Sequence, residues 1–217
     1  FEHQWPCDPT QLGRFRKALG EEGVEELLAR TMEVAVTLKL IAKKELARVI
    51  VDSTVQEKAI AHPTDSKLLE TARSKVVEAA KANGIELKQT YAKEGQLLGY
   101  KAGRYAHARQ FKRMRKVIKR QRTIVGRLQR EVARKMTALS QAMQETLGHT
   151  LDKAKRLVAQ TASRKAVGNR AKLYSWHAPE VECISKGKSR NPYEFGVKVG
   201  LAMTLKGNLI VGARSFP

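Results

Sequence analysis

The spacing of apolar residues divides the chain into long helical stretches and a few short extended ones. Near the start of the chain, apolar positions recur every three or four residues, which is typical of amphipathic helices. Asp8-Pro9 marks the start of a first helix and Gly20 its end, and a second helix follows over about residues 21–41. The pair is either a helix-turn-helix DNA reader or a packed helical hairpin, and both interpretations stay open.

The middle of the chain predicts further helices. One begins at Thr64-Asp65-Ser66 and stops at Asn83-Gly84. Over about residues 88–147 no Pro interrupts a helical pattern of apolar positions, and a return helix follows over about residues 151–162. The simplest architecture for this part is a long antiparallel helical hairpin that packs along a coiled-coil-like seam.

Two stretches have the residue types of strands. Val49-Ile50-Val51 is short, β-branched and bounded by charged residues, which predicts a buried strand over residues 48–54. From Tyr193 to Thr204 apolar and smaller or polar residues alternate, and Lys206-Gly207-Asn208 makes the turn to a partner strand ending near residue 213. The expected fold class is α+β, mostly helical, with a small sheet.

Asp52 follows Val49-Ile50-Val51 directly within the predicted strand and precedes two hydroxyl residues. A carboxylate at the inner end of a buried strand is costly unless a cation meets it, and phosphate-processing enzymes supply a divalent metal there. Asp and Ser side chains also bond to nearby backbone amides, so Asp52 is alternatively the cap of a turn. The strand by itself does not decide between a metal ligand and a cap.

The charge of the chain indicates a polyanionic partner. Lys and Arg number 42 against 21 Asp and Glu, which gives a net charge of +21. The stretch from Lys101 to Lys172 holds 21 Lys and Arg but three acidic residues, whereas a merely solvated face mixes both signs. Aromatic residues stand near the start of this run, which favours backbone contacts to a duplex over base stacking on a single strand. The candidate DNA-binding residues in its densest part are Arg109, Lys112, Arg113, Arg115, Lys116, Lys119, Arg120 and Arg122.

A smaller basic segment lies near the alternating strand. It either clamps a phosphate close to Asp52 or is simply a basic loop on a basic protein. Cys7 and Cys183 are far apart and lack clustered partners, so the sequence supports neither a disulfide framework nor a zinc site, and a reducing cytoplasm is expected. The candidate residues of the basic segment are Lys186, Lys188, Arg190 and Lys198.

Three stretches carry a resemblance to a known family. They are Val49-Ile50-Val51-Asp52-Ser53-Thr54, Gly187-Lys188-Ser189-Arg190-Asn191-Pro192-Tyr193-Glu194-Phe195-Gly196-Val197-Lys198, and Trp5-Pro6-Cys7-Asp8 with Leu12-Gly13-Arg14-Phe15-Arg16. Together with the basic helical segment, they resemble a bacterial insertion-sequence transposase of the DDE class, whose catalytic core is ribonuclease-H-like. The resemblance spans most of the chain, although the helical segment matches by character more than by motif.

The resemblance implies DNA cleavage and strand transfer at insertion-sequence ends, with two Mg²⁺ or Mn²⁺ ions held by three acids. Asp52 would be the first of these acids and a metal ligand, whereas Glu180, Glu182 and Glu194 are not assigned to the site. The other two acids are expected beyond Pro217, and the chain starts without Met, so it is expected to be an inactive fragment. The implied partners are double-stranded DNA and further copies of the protein, with no membrane, in a nucleoid-associated cytoplasmic location.

The expected organisation places a basic insertion inside a ribonuclease-H-like sheet. Two rival functions remain: a non-catalytic protein that grips a duplex or folded RNA with its basic hairpin, and a metal-dependent nuclease without strand transfer. An Asp shortly after the hairpin and a later Glu on a helix would distinguish the catalytic classes from the binding protein. The expected segments are an N-terminal helical region at 1–46, the first core strand at 47–63, the basic helical hairpin at 64–175 and the β-hairpin at 176–217.

Overall fold

The computed structural model of the protein describes residues 7–162, 172–185, 187, 189 and 192–216. It is mostly helical with a small antiparallel sheet, which confirms the expected α+β class. The helices are α1 (Pro9–Thr37), α2 (Asp65–Ala82), α3 (Ala92–His107), α4 (Phe111–Lys135) and α5 (Gln141–Ala162). The strands are β1 (Val49–Glu57), β2 (Glu182–Ser185), β3 (Tyr193–Thr204) and β4 (Ile210–Phe216).

Residue contacts divide the chain into two compact units. The terminal unit comprises residues 1–56 and 198–217, and the helical unit comprises residues 57–197. Strand β3 therefore contributes residues to both. Each unit has its own organisation.

An apolar core between α2, α3, α4 and α5 holds the helical unit together. Each of these helices has an apolar stripe at helical spacing, and burying one Leu side chain contributes about 1.5–3 kcal/mol. The core is therefore the main source of stability in this unit. Its most completely buried side chains include Leu69, Val76, Ile124, Leu128, Leu147 and Leu157.

The ends of α2 follow the residues that predicted them. The backbone N–H of Lys67 donates to Thr64 Oγ1, so Thr64 caps the helix N-terminus. Asn83 follows the last helical residue, and Gly84 adopts a left-handed φ of 70° that glycine takes without strain. Both predicted boundaries of this helix are confirmed.

The predicted helical hairpin is wrong in its simple form. The chain leaves α3 at residues 108–110, where Arg109 has a φ of 55° and the N–H of Gln110 donates to the carbonyl of Tyr105 at 2.8 Å. A short 3-10 turn at Met136–Ala138 then separates α4 from α5. The helices pack together with α2 as a bundle. The sequence did not predict the break at residues 108–110, because Ala, Arg and Gln are ordinary helix formers.

Helix α1 is the main helical element of the terminal unit. The N–H of Thr10 donates to Asp8 Oδ1 at 2.7 Å, and the side chain of Gln11 accepts from the N–H of Asp8, so the predicted N-cap is confirmed as a capping box. Gly20, with φ 67° and ψ −168°, interrupts the helix where the sequence predicted the end of a first segment. The residues after this kink continue as helix to Thr37.

Strand β1 exists where predicted, but the prediction that it is buried is wrong. Val51 is 71% exposed, and Val49 and Ile50 are also exposed. β-Branched composition favours an extended backbone, whereas burial needs a second layer of structure. The described residues do not supply that layer at this position.

The predicted β-hairpin is confirmed in the sheet. β3 pairs antiparallel with β4 in a register that places Leu201 opposite Ala213, and Asn208 in the connecting turn has a φ of 50°. β2 pairs antiparallel with the first part of β3, with Cys183 opposite Phe195. β1 is the other neighbour of β3 in the sheet order.

Candidate nucleic-acid interface

Helix α4 has two chemically opposite faces. One face carries Val117, Ile124, Leu128 and Val132, which are buried in the bundle core. Gln121 interrupts this apolar face and is also buried, and its side-chain amide donates to the carbonyl of Ser66. The opposite face is occupied by cations. Because the core fixes the apolar face, it also fixes the direction in which the basic face points.

We define the basic stripe as the exposed Lys and Arg residues that share one face of α4. Their intervals of three, four and eight residues correspond to one or two helical turns, so the side chains lie in a row about 33 Å long. Among the described residues, none of them forms an ion pair with an acidic side chain within 4.0 Å. The basic stripe consists of Lys112, Lys116, Lys119, Arg127, Arg130 and Arg134.

Two predicted DNA-binding residues are already engaged by protein groups. Arg120 makes two hydrogen bonds to the Glu94 carboxylate, at 2.7 and 3.0 Å, and this pairing holds the pKa of Glu94 below its usual value. Arg122 donates to the carbonyl of Thr161 at 3.1 Å and so ties α4 to α5. Both residues therefore have a structural role in the bundle.

Other predicted residues lie at the N-terminal end of α4. Arg113 donates to Gln110 Oε1 at 2.9 Å and lies 6.0 Å from the centre of the Tyr105 ring. Arg115 donates to the carbonyl of Phe111. Arg109 is exposed in the turn before the helix. These side chains are accessible beside the basic stripe.

The second predicted basic segment is only partly described. Lys198 is exposed on β3, in the part of that strand that belongs to the terminal unit. Lys186, Lys188 and Arg190 lie outside the described residues. The proposed phosphate clamp near Asp52 therefore stays a prediction.

Sequence reasoning missed the second half of the basic stripe. Arg127, Arg130 and Arg134 were counted in the total charge but were not singled out, because the search followed the densest run of basic residues. Their spacing from Lys119 already places them on the same helical face. A search by helical face would have found them.

A concave cavity of about 570 Å³ opens at the C-terminal half of the stripe. One wall is α4, and the other is the segment before α3. The residues that line this cavity, which we call the basic cavity, include Lys88, Tyr91, Arg127, Arg130, Glu131 and Arg134.

Glu131 holds the two walls of the basic cavity together. Its Oε1 accepts from the backbone N–H of Lys88 and from Lys135 Nζ, both at 2.9 Å. Lys135 Nζ also donates to the carbonyl of Glu86. The bond from the Lys88 backbone, followed by that from Lys135, lowers the pKa of Glu131, so this carboxylate is ionised near neutral pH.

Asp52 is exposed on β1 in the terminal unit. Its Oδ1 accepts from the backbone N–H of the next residue, Ser53, at 2.7 Å, whereas a turn cap bonds an N–H two residues on, and β1 continues past Asp52 to Glu57. Nowhere in the described chain do three or more His, Cys, Asp or Glu residues converge as a metal site. The geometry thus offers one accessible carboxylate inside a strand and not at the turn that a cap requires, and its role as a metal ligand stays a prediction.

Comparison with known proteins identifies an uncharacterized relative. A stretch of 111 residues, 51% of the chain, is 46% identical to an uncharacterized protein, ORF8 in the nfe locus of Rhizobium meliloti. The match covers 54% of that protein, so the chain spans about half the length of this relative. No protein-family model matches the chain. No solved structure matches it either.

The described helices were also compared with the requirements of a membrane span. None of them combines the length and the apolar character needed to cross a bilayer. Helix α4, for example, carries Arg or Lys along most of its length.

Proposed function

We propose that the chain binds double-stranded DNA through the basic stripe of α4. The observation that carries this proposal is a row of exposed cations, without acidic partners among the described residues, on a helix whose other face is anchored in a core. Lys and Arg side chains in such a row gain binding energy by releasing the counterions condensed on DNA. A helix face that is merely solvated normally mixes positive and negative side chains.

The dimensions and composition of the stripe favour a duplex. Its length of about 33 Å is close to one turn of B-DNA, about 34–36 Å. Near the start of the stripe, the exposed aromatic residues that could stack on splayed bases are Tyr100 and Phe111. The proposed contacts are therefore to backbone phosphates, and they give affinity with little sequence preference.

We further propose that the chain belongs to a DDE-class transposase, as its resemblance implies. In support, β1 with Asp52 and β3, two strands that carry the resemblance, are neighbours in one small sheet. Asp52 is accessible, and its carboxylate is a hard oxygen ligand suited to Mg²⁺. The described residues contribute this single carboxylate and no complete ligand set, so we derive no catalytic step through a metal.

The rival function is non-catalytic binding to nucleic acid. It shares the basic stripe but gives Asp52 only a local role, since its carboxylate accepts the backbone N–H of Ser53. A metal-dependent nuclease is a third possibility that shares both the stripe and Asp52. Nucleic-acid binding by the stripe is common to all three functions, so it is the property to test first.

The test compares two variants of equal charge. Replacing Lys112, Lys116 and Lys119 with Gln removes half of the basic stripe, and replacing Lys75, Lys81 and Lys155 with Gln removes three exposed charges from α2 and α5. Binding to a labelled duplex is measured by fluorescence anisotropy between 50 and 200 mM salt. If about six phosphates are contacted, wild-type affinity falls about 10³-fold across this range, and the stripe variant loses about 2–3 from the slope of log affinity against log salt.

The control variant keeps a salt slope within about one of the wild type, because its lysines are not in the stripe. An equal loss in both triple variants would mean that the net charge, and not α4, determines binding. The proposal would then be wrong.

A further inference from the structure

We infer that the basic cavity is a phosphate-binding subsite that holds one nucleotide unit of a nucleic-acid strand. The inference rests on the proposed binding to DNA and deepens it, because it names a place where the strand leaves the surface of α4 and enters a concave site. None of the residues of this cavity was assigned to DNA binding from the sequence.

The basic cavity is strongly positive. Arg127, Arg130 and Arg134 are exposed at intervals of three and four residues, where like charges repel each other and destabilise the helix. An anion placed among them would relieve this repulsion. Guanidinium groups also match phosphate oxygens in geometry, since each can donate two parallel hydrogen bonds.

Two acidic side chains near the cavity, Glu131 and Glu94, make hydrogen bonds to other groups. Glu131 lines the cavity, but its Oε1 is shared by the backbone N–H of Lys88 and the ammonium of Lys135. Glu94 attracts Arg127 electrostatically but is hydrogen-bonded to Arg120. Among the described residues, neither carboxylate forms an ion pair with any of the three guanidinium groups.

The shape of the site distinguishes it from the flat remainder of the stripe. A volume of about 570 Å³ lies within the range of about 300–1,000 Å³ that small-molecule sites occupy, and the site is open to solvent, so it can take a backbone phosphate with its sugar. Gln89 lines the same cavity and can hydrogen-bond the sugar, whereas the ring of Tyr91 packs against the bundle core and shapes the wall.

The wall that carries Tyr91 is held in an uncommon backbone conformation. Tyr91 has a φ of 54°, a left-handed value that bulky residues rarely adopt. Its carbonyl accepts the N–H of Gly95 at 2.8 Å at the start of α3, and its ring packs against the bundle core. The surrounding structure therefore fixes this wall, and a fixed concave wall is what a binding subsite requires.

The experiment separates the cavity from the rest of the stripe with two double variants of equal charge. Arg130→Gln with Arg134→Gln removes two cavity guanidiniums, and Lys112→Gln with Lys116→Gln removes two stripe cations outside the cavity. Circular dichroism establishes that both variants are folded. Binding of inorganic phosphate and of deoxyadenosine monophosphate is then measured by calorimetry on the wild type and both variants.

We expect the wild type to bind both probes, and the mononucleotide more tightly. The cavity variant should bind each at least about tenfold more weakly, because it loses charge-assisted hydrogen bonds to the phosphate oxygens. The Lys112 and Lys116 variant should keep wild-type affinity for both. Equal losses in the two variants, or no binding of either probe to the wild type at about 10 mM, would overturn the inference.

A competition experiment identifies the source of the phosphate. A short DNA duplex should displace the mononucleotide from the wild type, whereas a hexaglutamate peptide at equal charge concentration should not. DNA that binds without displacing the mononucleotide would overturn the placement of the strand in the cavity, and equal displacement by the peptide would overturn the preference for phosphate. If the three-lysine variant described above binds DNA normally while the cavity variant fails to bind the mononucleotide, the subsite stands and the proposed role of the stripe fails.

Discussion

The two compact units differ in how far they bury apolar side chains that recur at similar spacing. In the helical unit, Leu128 and Leu157 are completely buried between helices. In the terminal unit, Leu27 is 52% exposed on α1, and Val51 and Leu38 are exposed as well. Apolar residues at helical or strand spacing therefore predict an element, but whether its face is buried depends on how many neighbours pack against it. The helical unit has a closed core and the proposed DNA contacts, and the terminal unit has the candidate metal ligand.

The largest expected effect tests whether DNA cleavage depends on the terminal unit and DNA affinity on the helical unit. In the proposed transposase, Asp52→Asn should reduce Mg²⁺-dependent cleavage of DNA by more than about 100-fold, since loss of groups that only support the metal ligands already costs about 10–100-fold. DNA affinity should stay unchanged because Asp52 is not part of the basic stripe. Nicking of a supercoiled plasmid and anisotropy with a labelled duplex measure the two properties.

Wild-type cleavage by the Asp52→Asn variant is the outcome that contradicts this assignment. Asn keeps a side-chain oxygen that can accept the N–H of Ser53, so a protein in which Asp52 makes only this local bond retains its activity. The variant Lys112→Gln/Lys116→Gln/Lys119→Gln is the complementary control, because it changes DNA binding and leaves Asp52 intact. It should lose DNA affinity, and its cleavage should recover when the DNA concentration is raised.

The second expected effect tests the difference in packing. Leu128→Ala should lower the free energy of unfolding of the helical unit by about 2–5 kcal/mol, because it removes a buried side chain and leaves a cavity. Leu27→Ala on the exposed face of α1 should change stability by about 0.5 kcal/mol or less. Urea denaturation followed by circular dichroism measures both. A loss above about 2 kcal/mol for Leu27→Ala would show that α1 has a packing partner.

Much of the fold could be predicted because its signals are local. The signals for helix ends involve bonds to residues only a few positions away. In the structure, helices begin or end at Asp8-Pro9, Thr64 and Asn83-Gly84. The turn at Asn208 is local in the same sense. Caps and turns bond to their own neighbours, so sequence alone determines them.

The errors of the sequence analysis concern contacts between distant segments. The burial of β1 depends on a covering layer, which composition does not reveal. The break at Arg109 lies in a stretch of helix-forming residues, and it lets α3 and α4 pack against each other. Both features are set by tertiary packing and not by local propensity.

In the candidate site, too, the sequence predicted local features but not the contacts between distant segments. The excess of cations was evident from the sequence, but which of them are accessible was not. Arg120 and Arg122 are engaged by Glu94 and Thr161 from other helices, whereas Arg130 and Arg134 face a cavity whose second wall comes from the segment before α3. Partners this distant along the chain cannot be read from helical spacing.

The smallest expected effects concern the packing within the helical unit. They are tested by replacing each of two glycines of α3 with Ala. A Cβ at Gly95 would lie 2.3 Å from Glu70 Oε2 and 2.6 Å from Arg73 Nε. These two side chains form an ion pair in which the Arg73 side chain is only 8% exposed, and Arg73 also donates to the carbonyl of Thr90. Gly95→Ala would displace this pair and should destabilise the unit by about 1–3 kcal/mol.

Gly103 is the matched position in the same helix. A Cβ there would meet no atom within 4 Å, so Ala adds helix propensity without a clash. Gly103→Ala should therefore stabilise the unit by about 0.5–1 kcal/mol, with the opposite sign to Gly95→Ala. Thermal and urea denaturation of the two variants give the comparison. If both substitutions stabilise the protein, the Arg73–Glu70 pair can shift without cost, and the close packing of α3 against α2 at Gly95 is not needed for stability.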